Sequence, residues 1–226
     1  MRANLGSAGA GRRVALTFDD GPNPETTPRL LDVLARHAVK ATFFVVGHEI
    51  GTPLGRGVME RAHREGHHIG NHGYSHRDLR SLAEREVRDE ARRAQDLIGG
   101  FSHARKFFRP PYGFTNATVR RVLDEDGYTT VFWTADSLDW KISRGGAWVD
   151  RVVELVGPQR DPIVLMHDVH PTTVDHVGDL VSRLRELEPV EFVQLDDPRL
   201  AVTTSPPAPW SMVLGAAPVV WTGPVR

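Results

Sequence analysis

The chain has 226 residues, 40% hydrophobic and 25% charged, with a formal net charge of -1. That balance suits one soluble globular domain with its own core, and near-neutrality gives no electrostatic pull toward nucleic acid or an anionic membrane. The absence of cysteine excludes disulfides, thiolate metal ligands and a cysteine nucleophile, whereas eleven histidines supply a common metal ligand that titrates near neutrality.

The start, Met1 to Gly11, is small and polar and lacks the apolar run of a secretory signal. No stretch is long and apolar enough to span a bilayer. With an initial Met, this predicts a cytoplasmic protein, or a secreted one from which a leader has been removed. Val14 to Phe18 reads as a first strand. Thr27-Pro28 then reads as N-cap and first helical position, with Leu30, Leu31, Leu34 and Ala38 on one face. Ala41 to Val46 is the second strand, Val58 to Arg64 helical, and His68 to Gly70 a short strand. Ser81-Leu82-Ala83-Glu84 has the pattern of a capping box, and Gly99-Gly100 stops the helix it opens. Phe107 to Arg109 is a strand, Asn116 to Asp126 a helix and Thr129 to Thr134 a strand. Ala147 to Val156 is a helix, Ile163 to Met166 an apolar strand, Pro171 to Leu187 a helix and Glu191 to Leu195 the last strand.

About seven βα units predict a parallel sheet, which an open doubly wound fold or a closed barrel would satisfy. The barrel is favoured because polar clusters fall just after strands, where barrels build their active sites. The expected organisation is a short segment over 1–13, one catalytic domain over 14–200 and a Pro-, Gly- and Ala-rich tail over 201–226. That tail carries Trp210, Val213, Leu214 and Trp221.

Five clusters carry candidate chemistry. In Thr17-Phe18-Asp19-Asp20-Gly21-Pro22 two carboxylates come directly after a buried strand. On extended backbone they would point to different sides and so serve different roles; Asp-Gly-Pro is also ordinary turn chemistry. In His72-Gly73-Tyr74-Ser75-His76 two imidazoles lie four residues apart, close enough to converge. An Asp from the first cluster would complete a His-His-Asp set for a catalytic divalent ion, usually zinc. Arg109-Pro110-Pro111-Tyr112-Gly113 is a stiffened turn whose Arg fork can hold a carboxylate. Asp136-Ser137-Leu138-Asp139-Trp140 comes after the fifth strand. Leu165-Met166-His167-Asp168 closes an apolar strand with a His placed to act as general acid or base. Each cluster has a bland reading as a turn, a connector or a structural His; five of them at five strand ends favour a site.

Together these motifs resemble the polysaccharide deacetylases of carbohydrate esterase family 4, which share the NodB homology domain. The resemblance covers roughly Val14 to Leu195. It implies a single-domain α/β fold, a distorted (β/α) barrel with about seven parallel strands, and a metal-dependent deacetylase that releases acetate from an N-acetylated amino sugar. Asp20, His72 and His76 would hold the metal, zinc first, with cobalt, nickel or manganese as alternatives. Asp19 would be the general base, oriented by Arg109. The Tyr112 N–H would help bind the oxyanion, and Asp139 would keep His167 protonated as the general acid. Trp140 and Leu165 would line the acetyl pocket, with Pro111 also on the substrate side. The partner would be a carbohydrate or a sugar-containing small molecule.

The family usually has Ser or Thr directly after the first metal His. Gly73 stands there, which predicts a looser loop or weaker metal affinity with the ligands retained. His67 and His68 read as strand residues, and His37, His63 and His103 as solvated ones. Rival readings are a deacylase of a natural-product or lipid-linked sugar, a carbohydrate O-acetyl esterase, and a carbohydrate-binding protein without turnover.

Overall fold

The computed structural model describes residues 11–101, 105–141, 145–187 and 189–206. Nearly all of the expected N-terminal segment, His103 and most of the tail, including its two tryptophans, lie outside the described residues. The strands are β1 (Arg12–Asp19), β2 (Thr42–Val45), β3 (His68–Asn71), β4 (Lys106–Phe108), β5 (Tyr128–Thr130), β6 (Ala135–Asp136), β7 (Ile163–His167) and β8 (Val190–Phe192). The helices are α1 (Thr27–Arg36), α2 (Gly47–Ile50), α3 (Pro53–Arg64), α4 (Glu84–Ile98), α5 (Ala117–Glu125), α6 (Ala147–Val156) and α7 (Pro171–Glu186).

Every strand pairing is parallel. The sheet order is β5-β4-β3-β2-β1-β7-β6, and β8 pairs with the start of β1. The expected strand over Thr129 to Thr134 is broken in two. Its first half bonds β4 and the stretch just beyond it bonds β7, so one length of chain touches both edges of the sheet and closes the distorted barrel. The cause is that Val131, Phe132 and Trp133 turn into the interior, where they pack with Ala15, Phe44 and Leu165. Val131 N–H still donates to Phe108 (2.8 Å), at the end of the β4–β5 ladder; Phe132 N–H leaves the ladder for Thr203 (2.8 Å), and Thr134 N–H then reaches Ile163 (3.0 Å). The carbonyl of Thr203 thus draws the first residues of the expected tail onto the barrel.

β1 shows how period-two alternation sorts side chains. Val14, Leu16 and Phe18 join the layer shared with the helices, while Ala15 joins the interior. Thr17 and Asp19 fall on the interior face with it. The in-register pairs Thr17–Leu165 and Asp19–His167 bring β7 groups to the same face. Gly70 is required on β3, because a Cβ there would come within 2.7 Å of the Phe44 ring.

Several helix starts differ from expectation. α1 begins at Thr27, one residue earlier than expected, with Thr26 in the N-cap position but making no side-chain cap bond; the Thr27 hydroxyl is engaged instead with Asn23 N–H and Asp168. The box expected at Ser81 does not form: α4 starts at Glu84 behind Ala83, which has no side-chain acceptor, and only the reciprocal half survives, with Glu86 accepting from Ala83 N–H at 2.9 Å, while Ser81 ends a 3-10 turn and donates to Asp78. α2 has no counterpart in the expected elements. His37 and His63 are half-buried, the latter 5.7 Å from the Phe101 ring, instead of solvated.

Candidate active site

The strands deliver their polar ends to one mouth of the barrel. Asp19 ends β1, His72 comes directly after β3, Arg109 directly after β4, and His167 ends β7. Asp20 does not continue the strand. Its φ of 77° is left-handed, and the turn brings its carboxylate round beside that of Asp19. The two acids therefore face one imidazole instead of opposite sides: His72 Nε2 is 3.4 Å from Asp20 Oδ1 and 3.7 Å from Asp19 Oδ2.

His72 Nδ1 lies 2.6 Å from the Arg109 carbonyl oxygen, so this nitrogen must donate, which leaves Nε2 to face the acids. His76 reaches the same point from a loop residue of φ 55°, with Nε2 3.1 Å from Asp20 Oδ1 and its ring centre 5.0 Å from that of His72. One ligand atom from each of Asp20, His72 and His76 lies within 4.8 Å of the others. Asp20 Oδ1 is buried among them without a well-formed hydrogen bond. An O,N,N donor set with such an oxygen at its centre fits a divalent cation such as zinc.

Electrostatics agree with this arrangement. Burial opposes the Asp20 charge, but the imidazoles of His72 and His76 outweigh it and hold the carboxyl well below the usual range. Burial likewise disfavours a charged His72, yet Asp19 and Asp20 raise it above an ordinary imidazole.

Arg109 is fully buried, with its guanidinium 4.1 Å from the Phe44 ring centre. Its Nη1 donates to Asp19 Oδ1 (2.7 Å) and Thr17 Oγ1 (2.8 Å); Nε and Nη2 donate to the carbonyls of Val131 and Phe132. Asp19 is therefore held end-on by one nitrogen and not gripped by the fork.

The second pair is His167 and Asp139. His167 Nδ1 and N–H donate to the two carboxylate oxygens of Asp139 at 2.7 and 2.8 Å, and Thr173 Oγ1 adds a third bond at 2.6 Å. Burial opposes both charges. Asp139 nonetheless pushes His167 up to about 10, and His167 holds Asp139 below the usual carboxylate range. With Nδ1 committed to Asp139, the charged ring keeps a second proton on Nε2. Asp136 accepts from Leu138 N–H at 3.0 Å and shapes the turn that presents Asp139.

The remaining expected residues are less tightly grouped. Tyr112 has a left-handed φ of 60° and sets its ring edge-on to His76 at 4.6 Å. Pro111 is buried near Gly73, and Leu165 is buried on the interior face two residues before His167. Trp140 is not packed into the cluster: it is 44% exposed on the rim beside Asp139. His67 accepts from Ala41 N–H, and burial with the Lys40 charge brings it down to about 4, so it is a neutral structural residue.

Sequence reading missed Thr173, which orients Asp139, and Asn71 and Glu90, which hold the loop between the two histidines. His170, near the fifth motif in sequence but given no role there, has its ring 5.7 Å from that of His167, and burial and His167 disfavour its charge. Asp168, the last residue of the fifth motif, has a structural setting that the motif does not show. It is buried, its Oδ2 accepts from Thr27 at 2.5 Å, and burial pushes it up to about 7.

Fold and site together define a parallel (β/α) barrel with an Asp-His-His cluster and two buried ion pairs, Arg109–Asp19 and His167–Asp139, at the carboxyl ends of its strands. The chain belongs to the polysaccharide deacetylase family, whose profile matches residues 6–131. It is 38% identical over 190 residues to the peptidoglycan-N-acetylglucosamine deacetylase PgdA of Listeria monocytogenes, covering 82% of this chain and 38% of that protein. It thus spans about two fifths of that relative. The solved structure of the T48 deacetylase with substrate superposes with a TM-score of 0.74 at 32% identity, covering 87% of this chain and 96% of that one. A mutant of BA3943, a pseudoenzyme of carbohydrate esterase family 4, also superposes with a TM-score of 0.74, at 27% identity, covering 82% and 66%. Among the described residues no helix is long and apolar enough to cross a membrane.

Proposed function

We propose that this chain is a metal-dependent N-deacetylase that hydrolyses the acetamide of an N-acetylated amino sugar, in a polymer or an oligosaccharide, to a free amine and acetate. The observation that carries this is the meeting, at one barrel mouth, of the Asp20–His72–His76 donor set with Asp19–Arg109 on one side and His167–Asp139 on the other. Amide hydrolysis needs an activated water and a proton for a poor leaving nitrogen, hence a base and an acid of opposed protonation in one site.

Asp20, His72 and His76 would hold the divalent ion, zinc first, with cobalt, nickel or manganese as alternatives. Bound there, it would polarise the acyl oxygen and make water acidic enough to ionise near pH 7. Asp19, kept end-on by Arg109, accepts the proton of the attacking water. The Tyr112 N–H is assigned as donor to the developing oxyanion. His167 delivers its Nε2 proton to the departing nitrogen while Asp139 stabilises the ring. Leu165, Trp140 and Pro111 are assigned to the acyl and sugar contacts.

The activity for which PgdA is named supports the choice of an N-acetylglucosamine-type substrate. The presence of both acid–base pairs beside an intact donor set supports turnover over binding alone. The test is acetate release from N-acetylglucosamine oligomers, monomeric N-acetyl sugar conjugates and O-acetylated xylan, with metal-loaded protein and a chelated control. Chelator-sensitive release from the N-acetylated oligomers is expected. Release from the ester alone would reassign the reaction, and binding without release from any substrate would establish a carbohydrate-binding protein.

A further inference from the structure

We infer that Glu90, on α4, is a positioning residue for the loop that carries His72 and His76, and that it tunes metal affinity instead of serving the helix core; this rests on the metal site assigned above. Glu90 stands out first by where it lies. The buried face of α4 is Val87, Glu90, Ala91, Ala94 and Ile98, a helical stripe in which one position is an acid. A carboxylate at such a site is costly unless its oxygens accept hydrogen bonds, and an apolar residue would pack there more cheaply.

Its hydrogen bonds all go to the loop. Oε2 accepts from the N–H groups of Tyr74 (3.0 Å) and Ser75 (2.8 Å), and Oε1 from the Ser75 hydroxyl (2.6 Å). All three donors are neutral, so these are charge-assisted bonds from a single anion. Asn71 Oδ1 takes the preceding N–H, that of Gly73, at 2.8 Å, and Asn71 is itself tied to α4 through the Ala91 carbonyl. From the other side, the N–H groups of Gly47 and His48 in α2 donate to the carbonyls of Gly73 and Tyr74, both at 2.9 Å. Backbone groups of residues 73–75 are thus gripped from both directions.

The grip matters because the next residue is the metal ligand His76. It is a non-glycine residue at φ 55°, a conformation that persists only when the surroundings over-determine it. Gly73, at φ 81°, tolerates the left-handed turn that starts the loop, and a Cβ there would stand 3.5 Å from Glu90 Oε2. The rigidity that a side chain at position 73 could give is supplied from α4. Ligand-orienting groups of this kind typically change metal affinity by about 10- to 100-fold when removed.

The test is a chelator-competition titration of the full chain with Zn2+ and Co2+, together with the Co2+ absorption spectrum and thermal unfolding in chelator. Glu90→Gln keeps the volume but removes the charge that strengthens all three bonds, and its amide Nε2 cannot accept from the Ser75 hydroxyl. It is expected to weaken metal binding about 10- to 100-fold and to alter the Co2+ spectrum, with the metal-free unfolding temperature little changed. Ser75→Ala removes only the Oγ–Oε1 bond and is expected to weaken binding several-fold. It carries the test should Glu90→Gln not fold. Wild-type affinity and spectrum in whichever variants fold would overturn the inference and make Glu90 a structural residue. A wild-type chain that binds metal no better than His76→Ala would instead overturn the metal site itself, and this inference with it.

Discussion

Arg109 reaches Asp19 with one nitrogen at 2.7 Å and the carbonyls of Val131 and Phe132 with two others, both at 3.3 Å. The same side chain therefore orients the assigned base and satisfies the backbone where the fifth strand breaks. Arg109→Lys keeps the charge but cannot make all these bonds. With buried carbonyls left unpaired, it is expected to cost about 2 kcal/mol or more in a urea titration and to lower turnover as well. An unchanged midpoint would mean that these carbonyls are served by other donors.

Asp19→Asn and His167→Ala test the two chemical roles separately. Each is expected to lower turnover by about two or more powers of ten, with metal content unchanged. Near wild-type rates in either, measured by acetate release with metal quantified in the same sample, would remove that residue from the mechanism.

Asp139 accounts for the raised imidazole of His167. In metal-free protein His167 should titrate near 10, and Asp139→Asn should return it toward the ordinary value of about 6.5. Because the folded value is raised, the contribution of His167 to stability is present below about pH 6.5 and fades as pH rises through about 10, whereas that of Asp139, whose value is lowered, is lost as the carboxylate protonates in acid. Nitrogen-15 NMR of the imidazole reads this directly; a His167 titration unmoved by the substitution would assign the shift to another group.

Asp168 has the same sign for a different reason. Burial raises its carboxyl to about 7, helped by the Asp20 charge and opposed by the Thr27 hydrogen bond. Below an unfolded value of about 3.9 its contribution is intact. Between there and about 7 the unfolded chain has lost a proton that the folded chain keeps, so stability falls by about 1.4 kcal/mol per pH unit. Asp168→Asn should flatten this slope in unfolding titrations from pH 4 to 8. A slope equal to wild type would place the titration elsewhere.

Metal binding should release protons. Asp19 and Asp20 favour a protonated His72 in the metal-free site, and a ligating imidazole must give up the Nε2 proton. Affinity should therefore rise with pH, and the binding heat at one pH should vary with the ionisation enthalpy of the buffer. Buffer-independent heats at pH 6 would show that His72 is already neutral.

Much of this was legible along the chain. α6 runs from Ala147 to Val156 as its apolar spacing predicts, and the five polar motifs sit at strand ends where the barrel needs them. Other features were not local. The break between β5 and β6 depends on Phe132 and Trp133 finding an interior to fill and on Thr203, some seventy positions away, accepting the Phe132 N–H. Thr173 looks like any residue in the first turn of α7 until the fold places it 2.6 Å from Asp139.

The sequence by itself determined the alternation of strands and helices and the five polar motifs, because periodicity and motif spacing are properties of neighbours in the chain; those motifs carried the resemblance to the family and, through it, the candidate donor set and the two candidate acid–base pairs. Only the tertiary structure decided how those groups face one another. The left-handed turns at Asp20 and His76, the end-on contact of Arg109 and the hold of Glu90 on residues 74 and 75 come from packing between segments far apart in sequence. Left-handed backbone and buried charge are both unfavourable in isolation, so they persist only where distant partners supply the compensating bonds.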